Sequence, residues 1–202
     1  GLAGIERAKT TLPDLVLTDV MMPGADGIEL LKALKTDVLT HHIPVVVFSA
    51  RAALEDRLRG LESGADAYLA KPFDTGELLL VIRNLLQTVR NAQHQYHEQL
   101  QSGAPFDERI KSTTPFINRA AACIVGQMDN SEYSATELAA DLNLSRSQLH
   151  RKLHSLVGCS TTAYIRLVRL EYAKDLLAEG DLTVAEIAYR CGFSSPAYFT
   201  SS

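Results

Sequence analysis

The sequence predicts a doubly wound α/β domain followed by an all-α domain that states one helical motif twice, and three observations carry this reading. Residues 1–90 alternate short β-rich runs with helical runs, the pattern of a parallel sheet layered with helices. The unbroken run Val45-Val46-Val47-Phe48 suits a strand covered on both faces. Beyond residue 115 no strand signal survives, and the pattern of residues 134–149 returns at 183–198. At 202 residues and 46% hydrophobic composition, two small packed domains fit better than one large one.

The first half opens on a helix, LAGIERAKT, and then on the strand DLVLTD, residues 14–19. ADGIELLKALKTD (25–37) reads as a helix, IPVVVFSA (43–50) as a strand and AALEDRLRGLESG (52–64) as a helix. AYLA (67–70) supplies a third strand and TGELLLVIRNLLQTVR (75–90) a further helix. Residues 91–115 turn polar, with Gly103, Pro105 and Pro115 as punctuation: their first part prolongs that helix and the rest reads as a linker. Residues 116–202 form the second domain.

Its two copies align Glu137 with Glu186, Ala139 with Ala188, and Asn143 with Gly192. Each copy opens on a capping box, Ser134 with Glu137 and Thr183 with Glu186, in which side chains satisfy the first free N–H groups of a helix. Each breaks where left-handed backbone is needed, at Asn143 or Gly192. A second helix then starts, capped by Ser145 with Gln148, or by Ser195 with Pro196 at the first helical position. Helix, tight turn, helix is a helix-turn-helix, here written twice.

No run reaches the roughly 18 apolar residues of a membrane-spanning helix, and the first residues do not read as a signal peptide, so a cytoplasmic chain is expected. Cys123, Cys159 and Cys191 are isolated, without zinc-like spacing, and read as small buried apolar residues. The net charge of −4 gives no pointer to nucleic acid. Local charge does: residues 146–154 hold Arg146, Arg151, Lys152 and two histidines without an acid.

In open parallel sheets ligands sit beyond the carboxyl ends of the strands. Asp19, Ser49 and Lys71 all fall at such ends, so an acid, a hydroxyl and an ammonium are expected to converge. A carboxylate can attack a phosphoryl group to give an acyl phosphate, with a hydroxyl and a lysine left to hold its oxygens.

On TDVMMPGADG, VVVFSA and ADAYLAKPF, in that order, residues 1 to about 90 resemble the response-regulator receiver domain, a flavodoxin-like doubly wound fold, present here in part. The resemblance implies that Asp19 is the phosphoacceptor, that Ser49, Tyr68 and Lys71 form the phosphate switch, and that the Lys71-Pro72 bond is cis. It also implies Mg2+, an oxygen-seeking ion, held by Asp19 and the Met21 carbonyl. The family's acidic pair belongs to a first strand that this sequence lacks. The chain reads as a fragment without the first two strands, and poor magnesium binding and slow phosphorylation are expected of it. The apolar edge at residues 15–17 is then left unpaired, an association hazard.

SRSQLHRKLHSLVGCSTTAYIRLVRLEYAKDLL, followed by EIAYRCGF and SPAYF, resembles the AraC-type DNA-binding domain. Beside the resemblance stands geometry. A helix over about residues 161–177 spans about 25 Å, and major-groove faces on one side of B-DNA lie about 34 Å apart, so one chain can read adjacent turns. Two apolar stripes on that helix, through Ile165, Val168, Tyr172 and Leu176 and through Ala163, Leu167, Leu170 and Leu177, predict that it is gripped from both sides. In the first recognition helix Leu149, Leu153 and Leu156 should face the core, leaving Arg146, Ser147, His150, Arg151 and Lys152 accessible, with Gln148 in the capping box. The resemblance puts Ser147, His150 and Arg151 opposite bases, while Arg146 and Lys152 suit phosphates. In the second, cut short, the candidate contacts are Ser194, Ser195 and Pro196.

The expected function is a two-component response regulator: a sensor histidine kinase phosphorylates Asp19, chains pair as homodimers, and double-stranded DNA is bound. Alternatives are the C-terminal part of a hybrid histidine kinase, tethered at the inner membrane, or a phosphate-independent DNA binder with a vestigial receiver. No catalytic activity of its own is expected of the chain.

Overall fold

The computed structural model describes residues 1–22, 26–50 and 64–202, which form two compact units, Gly1–Ala92 and Gln93–Ser202. The helix read at 52–64 lies, apart from Gly64, outside the described residues, as do Pro23, Gly24 and Ala25.

In the first unit α1 (Leu2–Thr11), β1 (Val16–Asp19), α2 (Gly27–Thr36), β2 (Val45–Ala50) and β3 (Ala67–Lys71) follow the expected order. The strands form one parallel sheet in sequence order, with Asp19 opposite Phe48 and Ala50 opposite Lys71. Asp26 caps α2, its carboxylate accepting from the Ile28 N–H at 3.0 Å. Helix α2 lays Ile28, Leu30, Leu31 and Leu34 into a core with Val45 and Val47. Val45, Val46 and Val47 are fully buried, as a strand covered on both faces requires. The start of β2 is pinned by Asp66, which accepts the Val45 N–H at 2.7 Å and pairs with Lys35 at 2.6 Å. Among the described residues β1 pairs only with β2, and Leu17 stands 44% exposed at that edge.

Helix α3 (Thr75–Leu100) runs into the second unit, which continues through α4 (Phe106–Arg109), α5 (Pro115–Val125), α6 (Ala135–Asp141), α7 (Arg146–Val157), α8 (Thr161–Glu179), α9 (Val184–Arg190) and α10 (Pro196–Thr200). The prolongation of the helix is as expected, but the linker reading gives way here. Tyr96, Leu100, Phe106 and Ile110 are buried in the same cluster as Leu138, Leu149 and Val168. The Gln99 side-chain amide donates to the carbonyls of Glu108 and Lys111, at 2.7 and 2.6 Å. Polar composition misled because several polar groups here hydrogen-bond within the protein, some of them to residues about 60 positions away.

Helix α8, 19 residues and about 28 Å long, is the central element of this unit. Ile165, Val168 and Leu176 of the first stripe are buried and Tyr172 half-buried; of the second stripe Ala163, Leu167 and Leu170 are half-buried, while Leu177 is exposed. Arg169 and Glu171 are buried too, which no apolar pattern announces. Cys191 is buried, but Cys123 and Cys159 are only half-buried, and burial pushes the Cys159 and Cys191 thiols up to about 11.

Candidate functional site

Parallel register brings the strand ends of the first unit together. Ser49 pairs with Ala70, one residue short of Lys71, and the Val20 N–H donates to Phe48 at 2.9 Å just past Asp19. The Lys71 ammonium reaches across to donate to an Asp19 carboxylate oxygen, and the Met21 N–H donates to the other at 3.4 Å. That ammonium holds the Asp19 carboxyl below the usual carboxylate range, against a smaller opposing effect of burial. Asp19 is therefore ionised near neutral pH, half-exposed at the rim of the sheet.

Ser49 is buried beside it on β2, and the Lys71-Pro72 bond is cis. Tyr68 lies half-buried against the core with its hydroxyl lacking any hydrogen-bond partner among the described residues, and burial raises that phenol. Phe73, just past the strand, stacks on Phe48 at 4.8 Å. The structure thus brings Asp19, Ser49 and Lys71 to one end of the sheet, with the Met21 backbone alongside.

Gly27 is the site residue that sequence reasoning passed over. It opens α2, its N–H donates to the Val20 carbonyl at 2.9 Å, and a Cβ there would stand 2.0 Å from the Asp19 carbonyl oxygen. Alanine is intrinsically the better helix former by about 1 kcal/mol, yet the close approach decides the sign the other way. Gly27→Ala is expected to destabilise the first unit by about 1–3 kcal/mol, the cost of overpacking. Urea unfolding followed through amides of β1 and β2 checks this; unchanged or increased stability would refute it.

In the second unit both turns are built alike. Asn143 and Gly192 adopt left-handed backbone, φ 55° and 72°, and the next N–H reaches back across each turn, Leu144 to Ala139 and Phe193 to Ala188, both at 2.9 Å. Capping boxes close at Ser134–Glu137, Ser145–Gln148 and Thr183–Glu186, and Ser195 caps α10 through the Tyr198 N–H at 3.2 Å. On α7, Leu149 and Leu153 are buried and Leu156 half-buried; Arg146, Ser147, His150 and Arg151 are exposed, and Gln148 is half-buried where it closes its box.

Lys152 corrects the expectation. It is fully buried, its ammonium 4.8 Å from the centre of the Phe116 ring, a cation–π contact that takes it off the surface shared by Arg151. One position along a helix turns a side chain by about 100°, and that puts Lys152 beside Leu149 and Leu153 instead of outward. On the second copy Ser194 is exposed, while Ser195 and Pro196 are half-buried at the cap of α10.

Residues 1–83 match the response regulator receiver domain family, and residues 138–202 match the helix-turn-helix domain family. The chain joins a receiver domain to an AraC-type helix-turn-helix domain. Histidine kinase P4 of Formosa agariphila is 31% identical over 99% of this chain, which spans 15% of that protein. PhoB, the phosphate regulon transcriptional regulatory protein of Escherichia coli, is 48% identical over 43% of this chain and 38% of its own length. Among solved structures, the signal receiver domain of a signal transduction histidine kinase from Syntrophus aciditrophicus is 34% identical, covering 43% of this chain and 65% of that one, with a TM-score of 0.40. The C-terminal domain of AraT, a response regulator from Geobacillus stearothermophilus, is 28% identical, covering 45% and 75%, with a TM-score of 0.41.

For a magnesium ion the described residues of this receiver offer the Asp19 carboxylate and the Met21 carbonyl. Lys71 already donates to that carboxylate, and no cluster of three acidic, histidine or cysteine side chains occurs among the described residues. This ion usually keeps several waters and takes one or two carboxylates from the protein; the single carboxylate described here is already engaged by Lys71, so the residues described do not by themselves make a magnesium site. Among the described residues no helix is long and apolar enough to cross a membrane.

Proposed function

We propose that the chain is the receiving and DNA-reading part of a two-component response regulator. The observation that carries the proposal is the Asp19 carboxylate, ionised and held by Lys71 at the carboxyl end of a parallel sheet, in a chain that continues into two helix-turn-helix units. In the transfer step an Asp19 oxygen attacks the phosphorus of a phosphohistidine on a sensor kinase. The O–P bond forms, the N–P bond breaks, and the imidazole leaves with a proton. Lys71 passes from the carboxylate to the phosphoryl oxygens, Ser49 donates a hydrogen bond to one of them, and Tyr68, whose hydroxyl has no partner among the described residues, follows Ser49.

The dianion is a local charge change of the kind that biases a two-state element. Its readout here is pairing of chains into homodimers and tighter binding of double-stranded DNA. Arg146 suits a phosphate, and Ser147, His150 and Arg151 suit base edges, from α7; Ser194, Ser195 and Pro196 are the contacts of the second unit. The setting is the cytoplasm. Magnesium belongs to this proposal only with donors beyond those described, and no step above runs through it.

The test is phosphoryl uptake in the full reading frame, supplied with kinase and Mg2+, followed by DNA affinity with and without label. A hydroxylamine-labile label together with raised affinity supports the proposal. Equal affinity in both states would leave a phosphate-independent DNA binder. Arg151→Ala is expected to weaken specific binding by about 1–3 kcal/mol and to relax preference at one base pair, the loss of a two-pronged contact with guanine. Selection from a random duplex pool measures both, and an unchanged base profile would count against the assignment.

A second reading has its own support. Similarity to a histidine kinase along 99% of this chain favours a receiver and DNA-binding end within a hybrid kinase, tethered at the inner membrane. The coding sequence upstream of Gly1 distinguishes the two, several hundred codons against a few tens.

A further inference from the structure

Between the first turn of α7 and the N-terminus of α8 lies a cavity of about 450 Å³, lined by Arg146, Ser147 and His150 on one side and Ser160, Thr161 and Thr162 on the other. Thr161 is only 4% exposed, yet its hydroxyl is buried without a hydrogen-bond partner among the described residues. A buried hydroxyl left unmet is costly, and native structures carry few of them. Thr161 is also the first residue of the 19-residue α8, whose aligned peptide dipoles place positive potential at this end. Ser160 takes up two amides of the first turn, Ala163 through its side chain at 3.2 Å and Tyr164 through its carbonyl at 2.9 Å. Among the described residues the amides of Thr161 and Thr162 have no such acceptor, and they remain for a ligand.

Every charged or titratable side chain lining the cavity is basic. Glu137, whose carboxylate feels the charge of Arg146, is turned to the Ser134 cap instead. A hydroxyl donor, two helix-terminal amides and a guanidinium converging on one space are the chemistry of an oxyanion, with phosphate the best match.

We propose that this cavity seats one phosphate of the DNA backbone, an assignment that rests on the groove-reading role of α7. Arg146 pairs with the phosphate, the Thr161 hydroxyl donates to it, and α8 presents its N-terminal amides. Ser147 and His150, on the same turns of α7, then face the bases flanking that phosphate. The seat fixes how deep α7 enters the groove, which is what a backbone contact contributes to recognition.

Thr161→Val tests the seat, because valine keeps the shape of threonine and removes only the unmet hydroxyl, a change that is nearly neutral or stabilising for the fold. The probe is a duplex selected from a random pool by the wild-type chain, with single methylphosphonates scanned along each strand. Thr161→Val is expected to bind about tenfold more weakly, the loss of one hydrogen bond to a charged group, with an unchanged or higher melting temperature. One methylphosphonate that weakens wild-type binding should cease to matter in the variant, and Thr161→Ser should restore the wild-type scan. Wild-type affinity and an unaltered scan in Thr161→Val would overturn the seat alone. Inorganic phosphate that protects the wild type but not the variant from thermal unfolding, with duplex affinity unchanged, would assign the cavity to a free anion and overturn the backbone contact. Failure of the wild-type chain to select any duplex would overturn the groove-reading role itself, and the seat with it.

Discussion

Asp19→Asn is expected to abolish phosphoryl uptake in the full reading frame while leaving both units folded. An amide nitrogen is not a nucleophile towards phosphorus at neutral pH, and the amide oxygen that remains carries no negative charge to attack with, so the reaction loses its acceptor. The fold should hold because the substitution is nearly isosteric and the pair it weakens is half-exposed, Lys71 and Asp19 standing 45% and 32% accessible; such pairs contribute little to stability. Hydrogen exchange over β1 and β2 checks the second point, and labelling from acetyl phosphate or a phosphorylated kinase checks the first. Full labelling of the variant would place the acceptor elsewhere and remove the ground for the proposed function. The acid limb of the reaction follows from the same pair. Lys71 depresses the carboxyl, so Asp19 stays ionised to a lower pH than an ordinary aspartate. Uptake that depends on the carboxylate should thus persist into mildly acidic solution and fail only as pH falls through that lowered range.

How much of this was legible in the sequence differs by kind of interaction. The succession of strands along the chain, the residues at the strand ends and all three capping boxes were readable, because each depends on spacing within a few residues or on period-two and period-3.6 patterns. Asn143 and Gly192 were readable as left-handed turns for the same reason. Three things were not. Gly27 gave no local signal that its missing side chain makes room for the backbone of Asp19, eight residues earlier and across the layer boundary. Lys152, in a basic stretch, looked like its neighbours, and only the position of Phe116 from another helix shows why its ammonium turns inward. The polar stretch 91–115 read as a helical extension and a linker because the partners of its polar side chains lie far along the chain, Gln93 with Ser155, His97 with Val157 and Arg109 with Glu171. Composition reports the polarity of a segment but not whether the partners that satisfy it are water or protein.

The last of these pairs carries the largest expected change in stability. Arg109 is 5% exposed and Glu171 3%. The Arg109 guanidinium donates to the Glu171 carboxylate at 3.2 Å and to its backbone carbonyl at 2.7 Å, to Asp175 at 2.7 Å, and to the Ala104 carbonyl. Asp175 in turn accepts the Phe106 N–H at 3.1 Å, and Phe106 packs on Tyr172 at 5.2 Å, so the network ties α4 to α8. Arg109→Ala removes these donors at once and, among the described residues, leaves the buried Glu171 carboxylate with only Lys174, half-exposed, at 2.6 Å. Breaking a buried pair in this way costs about 3–5 kcal/mol, because the remaining charge has lost water and partner alike. Hydrogen exchange at amides of α5 and α8 should accelerate by the corresponding factor, on the order of 10²–10³ or more. The cost belongs to the stranded charge more than to the pair, and that distinction is itself testable. Arg109→Met with Glu171→Leu removes both charges and keeps most of the volume, and such replacements are often neutral or stabilising. The double variant should therefore recover most of the protection that Arg109→Ala loses. If it were as unstable as the single variant, the contribution of Arg109 would lie in its packing and its bonds to carbonyls. If Arg109→Ala exchanged at the wild-type rate, residues 93–115 would be a tethered segment and not part of the folded unit.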